Sequence, residues 1–316
     1  MVHDPDYDFD SGDDRWTPQL AAGLAERACR ETGLPSSDLS LIRFGTNAVF
    51  EVGGADLALR LRRPGTTANE IARQVALANW LAEHGFPVNR PAKGFDVLHE
   101  GLEGAIASFW EWISEDSERK ATITELGDLL RNLHGLIDRY PKSMDFPRWA
   151  PFDEIEHRIR ILEDQADGWP ASSQLDLLRR WSRETAADLE PIDWQLPAGL
   201  IHGDAHVGNV LAARTGTNLL IDLDAVARGH REWDLVPTAV SRLRFHGDLD
   251  SIQDFSTAYG FDLLDWTGWP VMRRLRELYM TSWLMSVANS GERREEVEHR
   301  MSCLAEGDEQ AIWHAV

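Results

Sequence analysis

The sequence predicts an α+β fold in two lobes, with strands concentrated in the first third of the chain and helices in the rest. Short runs of alternating apolar residues, separated by turn residues, occur before residue 113, whereas helical repeats of leucine dominate after residue 120. The chain has 316 residues, of which 43% are hydrophobic, so it can bury a sizeable core and form two domains. Strands and helices are thus segregated along the chain and do not alternate as they do in βαβ units.

The first third begins with a helix and continues as a sheet. Residues 17–32 carry leucine and alanine on one helical face, and Gly33 follows them, which is typical of a helix end. Glycines 53 and 54 indicate a tight turn between two alternating segments. Three strands are predicted on this basis, at residues 39–44, 48–52 and 57–62.

Two capping boxes mark the next helices. Thr67 and Glu70 precede an apolar stripe that predicts a helix over residues 68–84. Thr122 and Glu125 form the second box, ahead of a leucine-rich segment after which the pattern remains mostly helical. A strand-rich stretch lies between the two helices and ends at residue 113. These signals complete the prediction of a strand-rich first lobe followed by a helical second lobe.

The charge is unevenly distributed and narrows the choice of partners. The chain carries 53 acidic residues against 32 basic ones, a formal charge of −21. Residues 1–15 contain six aspartates and are expected to form a disordered acidic tail. Residues 113–316 hold 36 acidic and 22 basic residues, which suits either solubility or a cationic ligand. An excess of this size would repel a phosphate backbone, so we expect no nucleic-acid partner.

Membrane and secreted proteins are also disfavoured. No apolar run approaches the roughly 20 residues that a membrane span needs, and the first residues lack the basic-then-apolar pattern of a signal peptide. The two cysteines, Cys29 and Cys303, are far apart and have no metal-ligand spacing. We therefore expect a reduced, cytoplasmic protein that does not enter a membrane. The sequence gives no indication of its oligomeric state.

Residues 198–224 interrupt the helical part with a polar loop and two short strands. A hairpin folded about Thr215-Gly216 would place Asn209 opposite Asp222, and cross-strand neighbours lie about 5 Å apart. An amide oxygen and a carboxylate at that separation suit Mg²⁺, which takes waters or phosphate oxygens as further ligands. Asp204 could orient a substrate hydroxyl and accept its proton. Together, these residues predict phosphoryl transfer.

The same residues belong to a longer pattern. His202-Gly203-Asp204, Asn209 and Ile221-Asp222-Leu223-Asp224 closely resemble the catalytic and metal motifs of the aminoglycoside phosphotransferase and choline kinase superfamily. The resemblance covers about residues 40–290 and extends to the Gly-Thr-Asn run at 45–47 and the Glu-Trp-Asp-Leu run at 232–235. It implies a protein kinase-like fold. It also implies an enzyme that transfers the γ-phosphoryl group of ATP or GTP to a hydroxyl of a small molecule.

The resemblance implies a role for each matching residue. Asp204 would be the catalytic base, and Asn209 and Asp222 would bind Mg²⁺. The lobe of residues 16–112 would bind the nucleotide, and the lobe of residues 113–316 would carry the catalytic loop, the metal site and the acceptor pocket. The residues implied to contact the nucleotide are Thr46 and Asn47 on a loop over the phosphates, Arg60 and Gln74 behind it, and the hinge aromatics Trp110 and Trp112.

Two positions depart from the family's pattern. Such kinases usually have a lysine where this chain has Arg60, and a glutamate where it has Gln74. An arginine can still bind phosphate oxygens in a bidentate manner, and either Gln74 or the nearby Glu70 could hydrogen-bond it. Glu70, however, already has a role in its capping box. The departures leave the choice between ATP and GTP open, and they leave a catalytically silent pseudokinase as an alternative.

Three residues around the catalytic loop have roles that the sequence defines less well. The resemblance implies that Asp224 either supports the metal site or caps the following turn, that His202 ties the loop to the core, and that Asp234 caps the next helix and braces the loop. A second alternative, a metal-dependent hydrolase, would use His202, Asp204 and His206 as ligands. Against the hydrolase, the sequence has no second histidine-rich cluster to complete such a site.

The acceptor is the least defined partner. The acidic second lobe would suit an aminoglycoside-like molecule, an amino sugar or a choline-like cation. Trp266, Trp269 and Trp283 could form a cation–π site for a quaternary amine, although most of the 13 tryptophans must belong to ordinary packing. We expect the partners to be a nucleotide and a small-molecule acceptor.

Overall fold

The structure is a computed structural model that describes residues 16–45, 47–98, 101–137, 139–141, 143–165, 168–246 and 248–316. The predicted acidic tail and Thr46 lie outside the described residues. The chain divides into two units. The first unit contains the residues up to Ala121 with Tyr140–Asp145 and Gly208–Asp224, and the second unit contains Thr122–Arg139, Phe146–Val207 and Ala225–Val316. The predicted lobe boundary at residue 112 stays a prediction.

Strands dominate the first unit and helices the second, so the predicted α+β class is confirmed. The elements in chain order are α1 (Pro18–Thr32), β1 (Leu39–Phe44), β2 (Asn47–Val52), β3 (Leu57–Arg62), α2 (Ala68–Glu83), β4 (Ile106–Glu111), α3 (Ile123–Ile137), α4 (Pro151–Glu163), α5 (Ser172–Leu189), β5 (Ala198–Ile201), β6 (Val210–Ala212), β7 (Asn218–Leu220), β8 (Ala227–His230), α6 (Glu232–Ser241), α7 (Leu249–Tyr259), α8 (Trp269–Val287) and α9 (Gly291–Glu306).

The first unit is built on a four-stranded antiparallel sheet in the order β1-β2-β3-β4. Alternate residues of β2 are buried, as the pleat of a half-buried strand requires, and they pack with the apolar face of α1. Asn47 lies opposite Arg62, and Val49 lies opposite Arg60. Arg60 and Arg62 therefore project from the same face of β3.

The helices of this unit begin and end where the sequence predicts. Thr17 caps α1 by accepting from the Leu20 N–H, and Gly33 ends it with a left-handed φ of 72°. Thr67 and Glu70 form the predicted capping box of α2. Both helix predictions are confirmed.

The register of the β6–β7 hairpin differs from the prediction by one residue. Val210 pairs with Leu220 and Ala212 with Asn218, so Asn209 lies opposite Ile221 and not opposite Asp222. The reason is the turn, because the Ala213 and Thr217 pair closes a loop of three residues instead of two. Its last residue, Gly216, has a φ of 85°, which suits the left-handed position that ends such three-residue turns.

The hairpin is held to the rest of the first unit by backbone hydrogen bonds. The Leu220 N–H donates to the Pro87 carbonyl at 3.0 Å. On the side of β6, the Asp116 N–H donates to the Ala212 carbonyl at 2.8 Å, and the Arg214 N–H donates to the Ser114 carbonyl at 3.0 Å. The segment that follows β4 thus forms an additional partner for β6.

The second unit is organised around α8, which packs against α4, α5, α6 and α9. Its middle carries the buried carboxylate of Glu277, which accepts from Arg244 at 2.7 Å and from Arg273 at 2.8 Å. A short antiparallel ribbon, β5 with β8, leads into and out of the loop that carries Asp204. No helix in the described part of the chain is both long enough and apolar enough to cross a membrane.

Candidate active site

The loop after β5 is held by a buried carboxylate. Asp234, in the first turn of α6, is fully buried and accepts from the backbone N–H groups of His202 at 2.6 Å and Gly203 at 2.7 Å. The same carboxylate contacts His134 Nε2 of α3 at 3.0 Å. Three hydrogen bonds to one carboxylate fix the backbone immediately before Asp204. The predicted brace is confirmed, but the predicted cap is wrong, because Arg231 occupies the N-cap position of α6.

His134 extends this support into the helical core. Its Nδ1 contacts the Tyr259 hydroxyl of α7 at 2.8 Å, and both side chains are buried. Burial raises the pKa of the Tyr259 phenol, which therefore remains protonated at neutral pH. The loop is thus connected, through Asp234, His134 and Tyr259, to the helices α6, α3 and α7 of the second unit.

Gly203 allows the loop to pass close to its neighbour. Its φ is 88°, a left-handed value that favours glycine. A Cβ at this position would overlap the carbonyl oxygen of Ala225, well inside van der Waals contact. The Trp233 ring N–H donates to the Gly203 carbonyl at 2.8 Å. The glycine of the His-Gly-Asp run is therefore required by local geometry.

Asp204, the predicted base, is partly exposed and has basic neighbours. One carboxylate oxygen, Oδ1, lies 3.2 Å from Arg276 Nη2, and the other, Oδ2, lies 3.8 Å from His206 Nε2. The Asp204 side chain keeps about a third of its surface accessible, at 34%, whereas Arg276 and His206 each keep 9%. Arg276 and His206 thus orient the carboxylate of Asp204, and part of its surface remains accessible.

Arg276 belongs to α8 and is positioned by aromatic rings. Its guanidinium carbon lies 5.9 Å from the centre of the Trp233 ring and 5.7 Å from that of Tyr279. Such placements over ring faces favour a cation. A chain of aromatic contacts continues from Trp233 through Trp149 to Trp194, whose ring stacks on His230 with centroids 3.8 Å apart. Burial lowers the pKa of His230, which favours its neutral form.

The two predicted metal ligands lie in the first unit, close together along the hairpin. Asn209 is buried, and its backbone carbonyl accepts from the Ile221 N–H at 2.9 Å. Asp222 directly follows Ile221 and has a φ of 62°, a left-handed conformation that aspartate tolerates better than most residues. The predicted pairing of Asn209 with Asp222 is wrong by one position. Their proximity in the hairpin nevertheless remains.

Two arginines of β3 contact the acidic residues after β7. Arg60 Nη2 donates to Asp222 Oδ1 at 2.9 Å and to Asp224 Oδ2 at 2.6 Å. Arg62 also contacts Asp224 Oδ2, and the Asn47 amide donates to it at 3.3 Å. Two cations, two carboxylates and one amide therefore form a nearly neutral cluster. Asp224 supports the neighbourhood of the predicted metal ligand, which is one of the two roles that the sequence allowed.

Arg62 is a largely buried cation of this cluster. Burial, and secondarily the neighbouring Arg60, lower the pKa of Arg62 to about 10. The two guanidinium groups repel each other and are held together by Asp222 and Asp224. An anionic ligand would relieve that repulsion as the carboxylates do.

The departures from the family's pattern have a structural explanation in part. Glu70 hydrogen-bonds to the Thr67 N–H at 2.8 Å, as its capping role requires. Gln74 is buried and makes no hydrogen bond to Arg60 within the described residues, so the suggested pairing of the two is wrong. Arg60 is instead paired with Asp222 and Asp224.

The predicted hinge aromatics have ordinary local partners. Trp110 is buried in β4, and its ring N–H donates to the Ser108 hydroxyl at 2.9 Å. The Trp112 backbone N–H donates to the Asp56 carbonyl at 2.9 Å. Their contact with a nucleotide stays a prediction. Thr46, predicted to contact the phosphates, falls outside the described residues.

The structure bears on the metal-dependent hydrolase that the sequence left as an alternative. His202, Asp204 and His206 do not form a metal-binding group; within the described residues the candidate group of this kind is Glu296, His299 and His314. The hydrolase interpretation is therefore wrong in its ligand set.

The predicted tryptophan site is also accounted for in part. Trp266 and Trp269 are only 6% and 8% exposed, and the Trp266 ring packs against Trp194. Both belong to the core, the ordinary role that the sequence left open.

Sequence reasoning missed two residues of these clusters. Arg62 could have been found, because its spacing of two from Arg60 on a strand places both on one face. Arg276 had no local signal, because its contact with Asp204 joins residues 72 positions apart.

Comparison with known proteins shows which proteins the chain is similar to in sequence and in fold. A homoserine kinase of Phenylobacterium zucineum is 27% identical over 174 residues, and the match covers 52% of this chain and 50% of that protein. The chain thus spans about half the length of the curated relative that it matches.

Two solved structures show the fold. The amicoumacin kinase hAmiN, in complex with AMP-PNP, Ca²⁺ and Ami, has a TM-score of 0.72 at 14% identity, over 94% of this chain and 98% of that one. The microcompartment-associated aminopropanol kinase has a TM-score of 0.69 at 19% identity, over 91% and 98%.

The family model gives the most extensive sequence match. The model described as the phosphotransferase enzyme family matches residues 39–278, which include the His-Gly-Asp loop, the β6–β7 hairpin and Arg60. This span is about three quarters of the chain, so the predicted family is confirmed. The chain belongs to the phosphotransferase enzyme family.

Proposed function

We propose that the protein transfers the γ-phosphoryl group of ATP or GTP to the hydroxyl of a small amine-bearing alcohol. The observation that carries the proposal is Asp204, a partly exposed carboxylate on a loop fixed by Asp234, within a chain of the phosphotransferase enzyme family. A rigid loop with an accessible carboxylate is what positioning of an acceptor hydroxyl requires.

The donor set around the hairpin fits a magnesium ion bound to a nucleotide. Asn209 and Asp222 supply hard oxygen donors, and few protein ligands are needed when phosphate oxygens complete the coordination. When bound, the ion would neutralise charge on the phosphates and on the group being transferred. We assign Asn209 and Asp222 as its ligands and Asp224 as a supporting carboxylate.

The arginines of β3 take the phosphate-binding role that a lysine fills in related kinases. Arg60 already binds two carboxylate oxygens of Asp222 and Asp224, and a phosphate presents oxygens of the same charge and similar geometry. On nucleotide binding, Arg60 would exchange Asp222 for phosphate oxygens and so release that carboxylate for the metal. Arg62 would keep Asp224 in place.

In the second unit, Arg276 orients Asp204. Its hydrogen bond to Oδ1 orients the carboxylate, about a third of which (34%) is accessible to an acceptor hydroxyl, whose proton Asp204 would accept as the phosphoryl group is transferred. Asp234 holds the preceding backbone throughout, because it accepts two N–H groups that would otherwise be unpaired in the core.

An amine-bearing acceptor is favoured by charge and by the relatives. Residues 113–316 carry 36 acidic against 22 basic residues, so this part of the chain attracts cations. The named relatives include kinases of homoserine and of aminopropanol, and both compounds are amino alcohols. We therefore place amino alcohols ahead of the larger aminoglycosides and of choline as candidate acceptors.

The test is thermal-shift titration followed by a phosphoryl-transfer assay. Mg·ATP and Mg·GTP are titrated first, and then a panel of amino alcohols, amino sugars, aminoglycosides and choline is added at saturating nucleotide. A ligand that binds the folded state raises its melting temperature. We expect a shift that needs Mg²⁺, a further shift from one panel member, and phosphorylation of that member. Nucleotide binding without turnover of any alcohol would favour the pseudokinase alternative.

A further inference from the structure

The most concentrated set of metal-binding side chains outside the candidate active site lies at the end of the chain. Glu296, His299 and Cys303 are spaced three and four residues apart on α9, which puts them on one helical face. His314, from the segment after α9, joins them. One oxygen of Glu296 and one nitrogen of each histidine lie within 4.8 Å of one another.

The thiol of Cys303 adds a fourth donor beside His299. Its sulfur lies 3.8 Å from His299 Nδ1 and 3.7 Å from Nε2. In a tetrahedral zinc site, with Zn–N about 2.0–2.1 Å and Zn–S about 2.3 Å, neighbouring nitrogen and sulfur ligands are about 3.6 Å apart. The sulfur is therefore close enough to His299 to reach the same ion, although Cys303 stands outside the three residues whose donor atoms all lie within 4.8 Å of one another.

The surroundings hold the donors in place. His299 Nε2 contacts the Ile312 carbonyl at 2.9 Å, the kind of outer hydrogen bond that fixes the ring of a metal-binding histidine. Arg300 binds Glu296 Oε1 at 2.7 Å, whereas His314 Nδ1 contacts the other oxygen, Oε2, at 2.9 Å. One carboxylate oxygen is thus used by the protein, and the second is directed toward the histidine.

The segment that supplies His314 is docked independently of any ion. Trp313 is buried between the guanidinium groups of Arg300 and Arg244, at 4.7 and 4.8 Å from its ring centre. Its backbone N–H donates to the Arg244 carbonyl at 2.7 Å. His314 is therefore presented to α9 without a metal, although its own ring is mostly exposed, at 69%.

We propose that Glu296, His299, Cys303 and His314 form a binding site for Zn²⁺ or a similar transition metal, which fastens the C-terminal segment to α9. One carboxylate, two imidazoles and a thiolate favour a borderline metal over Mg²⁺. Binding of the metal displaces the proton of the Cys303 thiol and replaces the hydrogen bond between Glu296 and His314.

The experiment uses the full chain without a histidine tag. Zn²⁺ and Co²⁺ are titrated by calorimetry, and the visible spectrum of the Co²⁺ form is recorded. We expect one equivalent to bind, with a thiolate charge-transfer band that Cys303→Ser abolishes and Cys29→Ser retains. His314→Ala and His299→Ala should each weaken binding at least about tenfold, a typical cost of losing a ligand or its support. His157→Ala, on the exposed face of α4, should have no effect.

The choice of variants also allows misfolding to be excluded as the cause of lost metal binding. The exposed ring of His314 can be removed without opening the core, and the melting temperature of each metal-free variant is measured beside that of the wild type. Absence of saturable binding at micromolar metal overturns the proposal. Binding that is insensitive to His314→Ala, or a Co²⁺ spectrum without a thiolate band, overturns it as well.

Discussion

Arg60 binds Asp222 at 2.9 Å, so the cation at the family's usual lysine position is paired with the carboxylate that we assign to the metal. The same guanidinium binds Asp224 at 2.6 Å. This pairing keeps two carboxylates close together at low electrostatic cost. In the nucleotide site that we propose, binding would therefore exchange partners within an existing cluster and would not bury an unpaired charge.

Arg60→Met should weaken Mg·nucleotide binding about tenfold or more, because a hydrogen bond to a charged group contributes about 1.5–3 kcal/mol. Calorimetric titration with Mg·ATP and Mg·GTP measures the effect. Arg30→Met is the control, since Arg30 lies exposed on α1 and pairs with Glu26 of the same helix. Equal affinity in Arg60→Met and in the wild type would remove Arg60 from the nucleotide site.

Asp222→Asn should weaken the Mg²⁺-dependent part of nucleotide binding about tenfold or more, because loss of the charge removes a hard anionic ligand. Asparagine is chosen because it tolerates the left-handed φ of 62° that alanine would strain. Titration of the nucleotide with and without Mg²⁺ separates the two contributions. If the Mg²⁺ dependence persists unchanged, Asp222 is not a metal ligand.

Asp204→Asn should lower turnover by about 10²–10⁴-fold, the usual contribution of a positioned general base. Asparagine can still accept the hydrogen bond of Arg276, so the loop should keep its geometry and the nucleotide its affinity. Steady-state kinetics with the acceptor found by the panel gives the turnover. A variant with nearly normal turnover would show that Asp204 is not the base.

Arg276→Met should reduce kcat about 10- to 100-fold while the KM for nucleotide changes little, because a misplaced base slows the reaction without affecting phosphate binding. Arg274→Met is the matched control on the same helix, since Arg274 pairs with Thr185 and Asp188 away from the loop. Kinetics and melting temperatures are compared for both variants. A rise in the nucleotide KM with normal kcat would contradict the positioning role.

The sequence was most informative where the signal is local. Capping boxes, turn glycines and alternating strands depend on residues within a few positions of one another, so α1, α2 and β3 could be placed almost to the residue. The resemblance identified Asp204, Asn209 and Asp222 in the same way, because they lie on one segment of the chain, residues 204–222.

The remaining features depend on distant residues or on finer turn geometry. A Thr-Gly-Thr-Asn run permits a loop of two or three residues, and the left-handed Gly216 decides for three, which shifts the register by one. The contact of Arg60 with Asp222 spans 162 positions, and no pattern within either segment specifies it. Ion pairs of this kind follow from the fold and do not predict it.

Gly203, in the loop that carries Asp204, is the subject of the last prediction. Gly203→Ala should destabilise the protein by about 3 kcal/mol or more, because strain at a left-handed φ adds to a clash with a fixed carbonyl group. Gly54→Ala is the control. Gly54 has a similar φ of 72°, but its added Cβ would meet no atom within 4 Å, so the cost should be about 1 kcal/mol.

Urea unfolding of both variants, with activity measured in parallel, distinguishes backbone strain from the close approach to Ala225. The change in Gly203→Ala should lower turnover even where the protein remains folded, because the displaced backbone carries Asp204 with it. Gly54 lies in the turn between β2 and β3, so the Gly54→Ala variant should keep its turnover. Equal destabilisation of the two variants would mean that the loop can move away from Ala225, and the rigidity that we assign to it would then be wrong.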